Sequence, residues 1–209
     1  MRVRFTFAKT EAMRYTGHLD LFRTLERSLR RARLPLAYSE GFRPHPKINI
    51  AAPLPLGITS EEELAEVWLK QALPLADIEA QLANAAPPGM EFGAFEEIVG
   101  KVPKLQTQTL SAEYCVEVIE KINDLAERVH ALLAEKEILM ERRKKGRVRQ
   151  YDLRPLIQKM DVREDSGQQI SIRLALQEGA TGRVDEVLKA LDLKPNQVQI
   201  KRTKIHLLP

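Results

Sequence analysis

His18 and His45 are the side chains of this sequence most suited to acid–base chemistry, because imidazole changes charge near neutral pH. Held together at a phosphate, they would run a metal-independent RNA cleavage, one as base and one as acid. No motif says that they meet. His18 follows Thr16 and Gly17, where a helix is expected to start. His45 lies in Tyr38-Ser39-Glu40-Gly41-Phe42-Arg43-Pro44-His45-Pro46-Lys47. Pro44 and Pro46 fix the backbone on both sides of it, and Gly41 admits positive φ. A stiff loop therefore presents His45 between Arg43 and Lys47, and a phosphate placed there meets all three, with Ser39 close by. Phe42 either stacks on a base or anchors the loop, and the anchoring role is the expectation. His18, Asp20 and His45 have no metal-ligand spacing, so no metal site is expected.

Two further groups carry cations. The segment 18–33 places Arg23, Arg27, Arg30 and Arg31 on one face of a helix. Each guanidinium stays charged and offers paired donors to phosphate. Acidic partners at helical spacing are few, namely Asp20 and Glu26. Residues 142–149 hold six cations: Arg142, Arg143, Lys144, Lys145, Arg147 and Arg149. Gly146 suggests a hairpin tip presenting them to a nucleic-acid backbone.

The elements that must position these groups follow from periodicity. Val3, Phe5 and Phe7 alternate, as in a half-buried strand over 2–9. Leu19, Phe22, Leu25 and Leu29 recur at helical steps. A loop and strand span 38–57, residues 61–70 read as a strand or a short helix, 74–86 as a helix and 90–99 as a strand. The order is β-α-β-β-α-β, the split pattern of ferredoxin-like folds. Residues 103–111 form an expected linker. The second half repeats the plan: a strand at 113–120, a helix at 123–136, a hairpin within 137–153, a short helix at 152–162 capped by Asp152, a strand at 168–177, a helix at 180–191 and a strand at 198–208. The expected class is thus α+β, two tandem ferredoxin-like domains at 1–102 and 112–209 with antiparallel sheets.

The charge is unevenly spread along the 209 residues. Residues 1–50 carry a net +7, residues 51–100 a net −8 and the remainder +5. Either the basic stretch attracts polyanions or the acidic stretch folds against it and cancels it. One cysteine, Cys115, excludes an internal disulfide framework and a cysteine-only Fe–S or zinc site on this chain. No apolar stretch reaches the roughly 20 residues of a membrane span, and no secretory h-region is present at 1–10. A cytoplasmic setting without membrane contact is the expectation.

Thr16-Gly17-His18-Leu19-Asp20, the 38–47 loop and Pro53-Leu54-Pro55-Leu56-Gly57 resemble the radical-SAM-linked protein family, a bacterial family defined as a domain of unknown function. The stretches 144–147 and 151–155 look like its second-half signature, so the resemblance covers nearly the whole chain. Members occur fused to, or encoded beside, cobalamin-binding radical SAM proteins, often near ribosomal-protein and ribonuclease genes. The resemblance implies a radical SAM partner and a link to RNA, whether tRNA or rRNA. It supplies no catalytic residue. A radical SAM enzyme needs a CxxxCxxC site, so the Fe–S cluster, S-adenosylmethionine and cobalamin would sit on the partner, with no cofactor on this chain. Three functions follow as expectations: a non-catalytic RNA-binding accessory protein that presents RNA or a ribosomal substrate to the partner, an RNA-processing or RNA-modifying enzyme using His18 or His45, or a protein adaptor docking through the acidic residues of 61–66 and 91–97.

Overall fold

The computed structural model describes residues 1–144, 147–164 and 167–208, and within the strands at 139–152 it leaves aside the side chains of Arg143, Lys144, Arg147 and Arg149. The chain divides into two compact units, Met1–Thr109 together with the last residues from Leu207, and Leu110–His206. Both are mixed α and β with antiparallel pairing.

The first unit contains β1 (Arg2–Lys9), α1 (His18–Arg31), β2 (Ile48–Ile50), β3 (Thr59–Trp68), α2 (Leu75–Ala85) and β4 (Met90–Glu97). Its strands lie in the order β2-β3-β1-β4, each pair antiparallel. β1 is central, and its alternation buries Val3, Phe5 and Phe7. Opposite Phe5 the ladder shifts by one residue at Ala94, which has a φ of 43°. That bulge lets Phe92 and Phe95, three apart in sequence, both reach Phe5, one ring edge-on at 5.8 Å and the other stacked at 5.5 Å. Residues 61–70, read as strand or helix, are strand up to Trp68. The buried stripe of α1 is Leu21, Leu25, Ser28 and Leu29. Leu19, expected on that stripe, is 72% exposed. The residue that keeps a four-residue step with Leu25 and Leu29 is Leu21, and Leu19 lies two positions away, off the face.

The second unit holds β5 (Thr109–Val118), α3 (Leu125–Ala134), the two-stranded sheet of β6 (Leu139–Lys144) and β7 (Arg147–Asp152), then β8 (Ile157–Arg163), β9 (Gln169–Gln177), β10 (Ala180–Thr181), α4 (Val184–Ala190) and β11 (Val198–Leu207). β5 and β8 pair antiparallel with β9, and β11 lies beside β5. The helix expected at 152–162 is absent. Asp152 does accept the Arg154 N–H at 2.9 Å, but it caps only a 3-10 turn at Arg154–Leu156. Beyond it Ile157–Arg163 form β8, which takes up backbone partners of β9 and buries Ile157 and Met160. Pairing with that strand outweighs local propensity. No helix among the described residues is long and apolar enough to cross a membrane.

Candidate nucleic-acid interface

The 38–47 loop has a closed neck. Tyr38 and Pro46 form an antiparallel bridge, and the Lys47 N–H donates to the Ala37 carbonyl at 2.8 Å. The Ser39 N–H donates to the His45 carbonyl at 2.8 Å, and the His45 N–H donates to Ser39 Oγ at 3.0 Å. Ser39 is thereby a clamp across the neck. Gly41, with a φ of 118°, makes the turn at the tip. Phe42 is fully exposed and anchors nothing, contrary to expectation. Arg43, His45 and Lys47 are exposed beside it, and Pro46 is buried. An exposed phenyl ring among cations on a pinned loop can stack a base while the cations meet its phosphates.

The arginines of α1 divide by partner. Arg23 bridges Asp20 at 3.2 Å and Arg30 bridges Glu26 at 2.8 Å, so the two acids on the helix are both engaged. These exposed pairs are weak and yield readily to a stronger anion. Arg31 turns to the Ala85 carbonyl at the end of α2. Arg27 is exposed and makes no ion pair among the described residues. Arg30 joins the helix to the loop, because its guanidinium lies over the Tyr38 ring at 5.4 Å. Lys70 Nζ also lies over that ring, at 5.6 Å. Sequence reasoning named neither Tyr38 nor Lys70 as a site residue. They are far apart in the chain and are joined by backbone bonds, Ala37 N–H to the Trp68 carbonyl and Lys70 N–H to the Pro35 carbonyl, both at 2.7 Å.

The two histidines are not brought together. His18 opens α1, while the neck holding His45 is tied to the far end of that helix, a rise of roughly 18 Å from His18 to Arg30. Among the described residues no group of three or more His, Cys, Asp or Glu is placed to hold a metal ion.

The acidic stretch folds against part of the basic one. Glu66, fully buried, accepts Arg2 and Arg4 at 2.7 and 2.9 Å, and Glu96 also meets Arg4 at 3.4 Å. The cancellation therefore falls on β1, and leaves Arg27, Arg43 and Lys47 out.

In the second unit, Arg142 does not extend from a hairpin tip. Its guanidinium donates to both oxygens of Glu186 on α4, at 3.0 and 2.9 Å, and to the Thr181 carbonyl at 3.0 Å, while lying 4.5 Å from the Tyr151 ring centre. The Tyr151 hydroxyl donates to Glu186 as well. The expected contacts of Arg143, Lys144, Lys145, Arg147 and Arg149 lie outside the described side chains. This network borders a cavity of about 920 Å³. Burial and then Glu186 push the Tyr151 hydroxyl up to about 12, so it stays a proton donor. Burial pushes the Glu186 carboxyl up, but the bonds from Arg142 and Tyr151 outweigh it and hold the group below its ordinary range. A depressed carboxylate stabilises the fold above its unfolded-state pKa, and the contribution is lost as pH falls through the folded value. Glu186→Gln is expected to cost about 1–3 kcal/mol at neutral pH. The gap from wild type should close in urea titrations run below the ordinary glutamate range, and a gap independent of pH would refute this account. On β5, Glu113 accepts Arg173 and His206, and the Arg173 bond foremost holds its carboxyl low.

A family model described as "Uncharacterized protein conserved in bacteria (DUF2344)" matches residues 2–185. No curated protein matches the chain. Among solved structures it is similar to a chain of a Cbf5–Nop10–Gar1 complex, at 11% identity over 97% of this chain and 48% of that one, with a TM-score of 0.46. It is also similar to a chain of the archaeal box H/ACA sRNP Nop10–Cbf5 complex, at 10% identity over 97% and 47%, with a TM-score of 0.43. The chain spans about half the length of those it matches.

Proposed function

The chain belongs to the bacterial DUF2344 family, and from that premise we propose that it is a non-catalytic RNA-binding accessory protein. It holds a single strand of RNA on the first unit and presents it to a radical SAM enzyme in the cytoplasm. The observation that carries the reading is the contact of Arg30 with Tyr38, which sets the arginine face of α1 beside the neck of the loop bearing Phe42, Arg43, His45 and Lys47. Cations with an exposed aromatic ring suit a flexible phosphodiester strand, because stacking tolerates any base and phosphate contacts ignore sequence. The radical SAM partner rests on the resemblance of 16–20, 38–47 and 53–57. The Fe–S cluster, S-adenosylmethionine and cobalamin belong to that partner in this reading.

The architecture belongs to the same proposal. The order β2-β3-β1-β4 with two helices is that of a split βαβ unit, and β5, α3, β8, β9, α4 and β11 repeat it with the β6–β7 hairpin inserted. We read the chain as two tandem ferredoxin-like domains on this basis.

The test is fluorescence anisotropy with a labelled single-stranded RNA across a salt series. Wild type should bind with an affinity that falls steeply as salt rises. The triple variant Arg27→Glu, Arg43→Glu, Lys47→Glu should lose at least roughly tenfold in affinity at low salt and show a shallower salt slope. Equal affinity of variant and wild type, or no salt dependence, overturns the proposal. Retention of the radical SAM protein without RNA would favour an adaptor.

A further inference from the structure

Beside the neck of the loop, the first unit carries a cavity of about 480 Å³ lined by Arg30, Leu34, Pro35, Leu36, Tyr38 and Lys70. Its charged lining is two cations with no carboxylate. Glu26 holds Arg30 from the helix side, leaving the second cation, Lys70, without an ion pair among the described residues. The half-buried Tyr38 stands within reach of both, and the remaining wall is aliphatic. The frame is fixed by main-chain bonds: Leu36 and Leu69 form a bridge, and residues 35, 37, 68 and 70 exchange the two bonds given above. A pocket with cations at one wall and apolar side chains at another has the amphipathic character of a nucleotide, which is anionic at its phosphate and apolar on its base face.

We infer that this pocket binds one nucleoside 5′-phosphate unit, with the phosphate between Lys70 and Arg30 and the sugar and base against Leu34, Pro35 and Leu36. The inference rests on the RNA-binding reading and deepens it, since it gives the strand a defined point of entry beside a loop that otherwise makes sequence-tolerant contacts. The phosphate would displace Glu26 from Arg30, an exchange favoured by its greater charge. The Tyr38 hydroxyl adds a donor at the same wall. The same chemistry comes from a free mononucleotide or from one residue of a strand.

The experiment uses the full chain and three probes: AMP, adenosine and a 5′-phosphorylated oligoribonucleotide, each followed by NMR or calorimetric titration. The variants are Lys70→Ala and Tyr38→Phe, both of which leave the main-chain frame in place. AMP should bind and adenosine should bind much more weakly. Lys70→Ala should reduce AMP affinity roughly tenfold or more, as expected for a charge-assisted contact. If AMP does not bind but the oligonucleotide does, and Lys70→Ala weakens it by the same factor, the pocket takes a residue of a strand. If the oligonucleotide binds wild type, Lys70→Ala and Tyr38→Phe equally, the pocket inference is overturned while the RNA-binding reading stands. If the oligonucleotide binds none of them, both fall.

Discussion

Glu66→Ala should lower the urea midpoint of the first unit sharply, with a loss of about 3–5 kcal/mol. The Glu66 carboxylate has no solvent exposure and accepts four N–H donors, two from Arg2 on one oxygen and two from Arg4 on the other, at 2.7–3.1 Å. An ion cluster of this kind need not out-stabilise an apolar core, because desolvation costs offset much of the attraction. Removing one member is different, since two guanidiniums on the central strand then lose their shared acceptor. Arg2 also donates to the carbonyls of Val102 and Pro103, so its displacement frees the segment after β4. The chain has one tryptophan, Trp68, whose ring lies 5.0 Å from the Arg2 guanidinium, so its fluorescence reads this unit directly. Glu66→Gln keeps the shape and part of the hydrogen bonding, and should fall between the two. A midpoint unchanged in Glu66→Ala would show that Arg2 and Arg4 hold β1 without it.

Gly89→Ala is the second large effect. Gly89 has a φ of 89°, and a Cβ there would lie 2.5 Å from Met13 Cγ, 3.0 Å from the Met13 backbone N and 3.1 Å from Ala12 Cβ. The methionine side chain can swing away, but the backbone nitrogen cannot. Left-handed strain and the clash together should cost about 2–4 kcal/mol. The Gly89 carbonyl accepts the Thr10 N–H at 2.9 Å, so the residue also ties the end of β1 to the start of β4. Differential scanning calorimetry should show a lowered Tm for the first unit. An unchanged Tm would mean that the turn at Glu11–Met13 yields without cost.

Local pattern was readable and long-range pairing was not. Val3, Phe5 and Phe7 announced β1 because alternation is a property of neighbouring residues, and the proline-flanked loop was evident for the same reason. Leu19 was misplaced because three- and four-residue steps allow two overlapping stripes on a short helix, and only packing selects the one through Leu21. β8 was missed because Asp152 and Pro155 signal a helix start, while the strand depends on β9, whose residues lie later in the chain. The largest gap concerns charge. Glu26 and Asp20 lie one turn from their arginines and could be counted in advance. Glu186 lies 44 residues from Arg142, and Lys70 meets Tyr38 only through strand pairing. Which cations stay available is therefore decided by the fold, and composition alone is silent on it.

The position of β1 between β3 and β4 sets an order of events during synthesis. Val3 has its partners at Val67 and Glu97, so the earliest strand made is among the last to be enclosed. At ordinary ribosomal rates, roughly 5–20 s separate the appearance of Phe5 from that of Phe95. For that interval the greasiest strand of the nascent chain has no mate, and a trigger-type chaperone finds its natural client there.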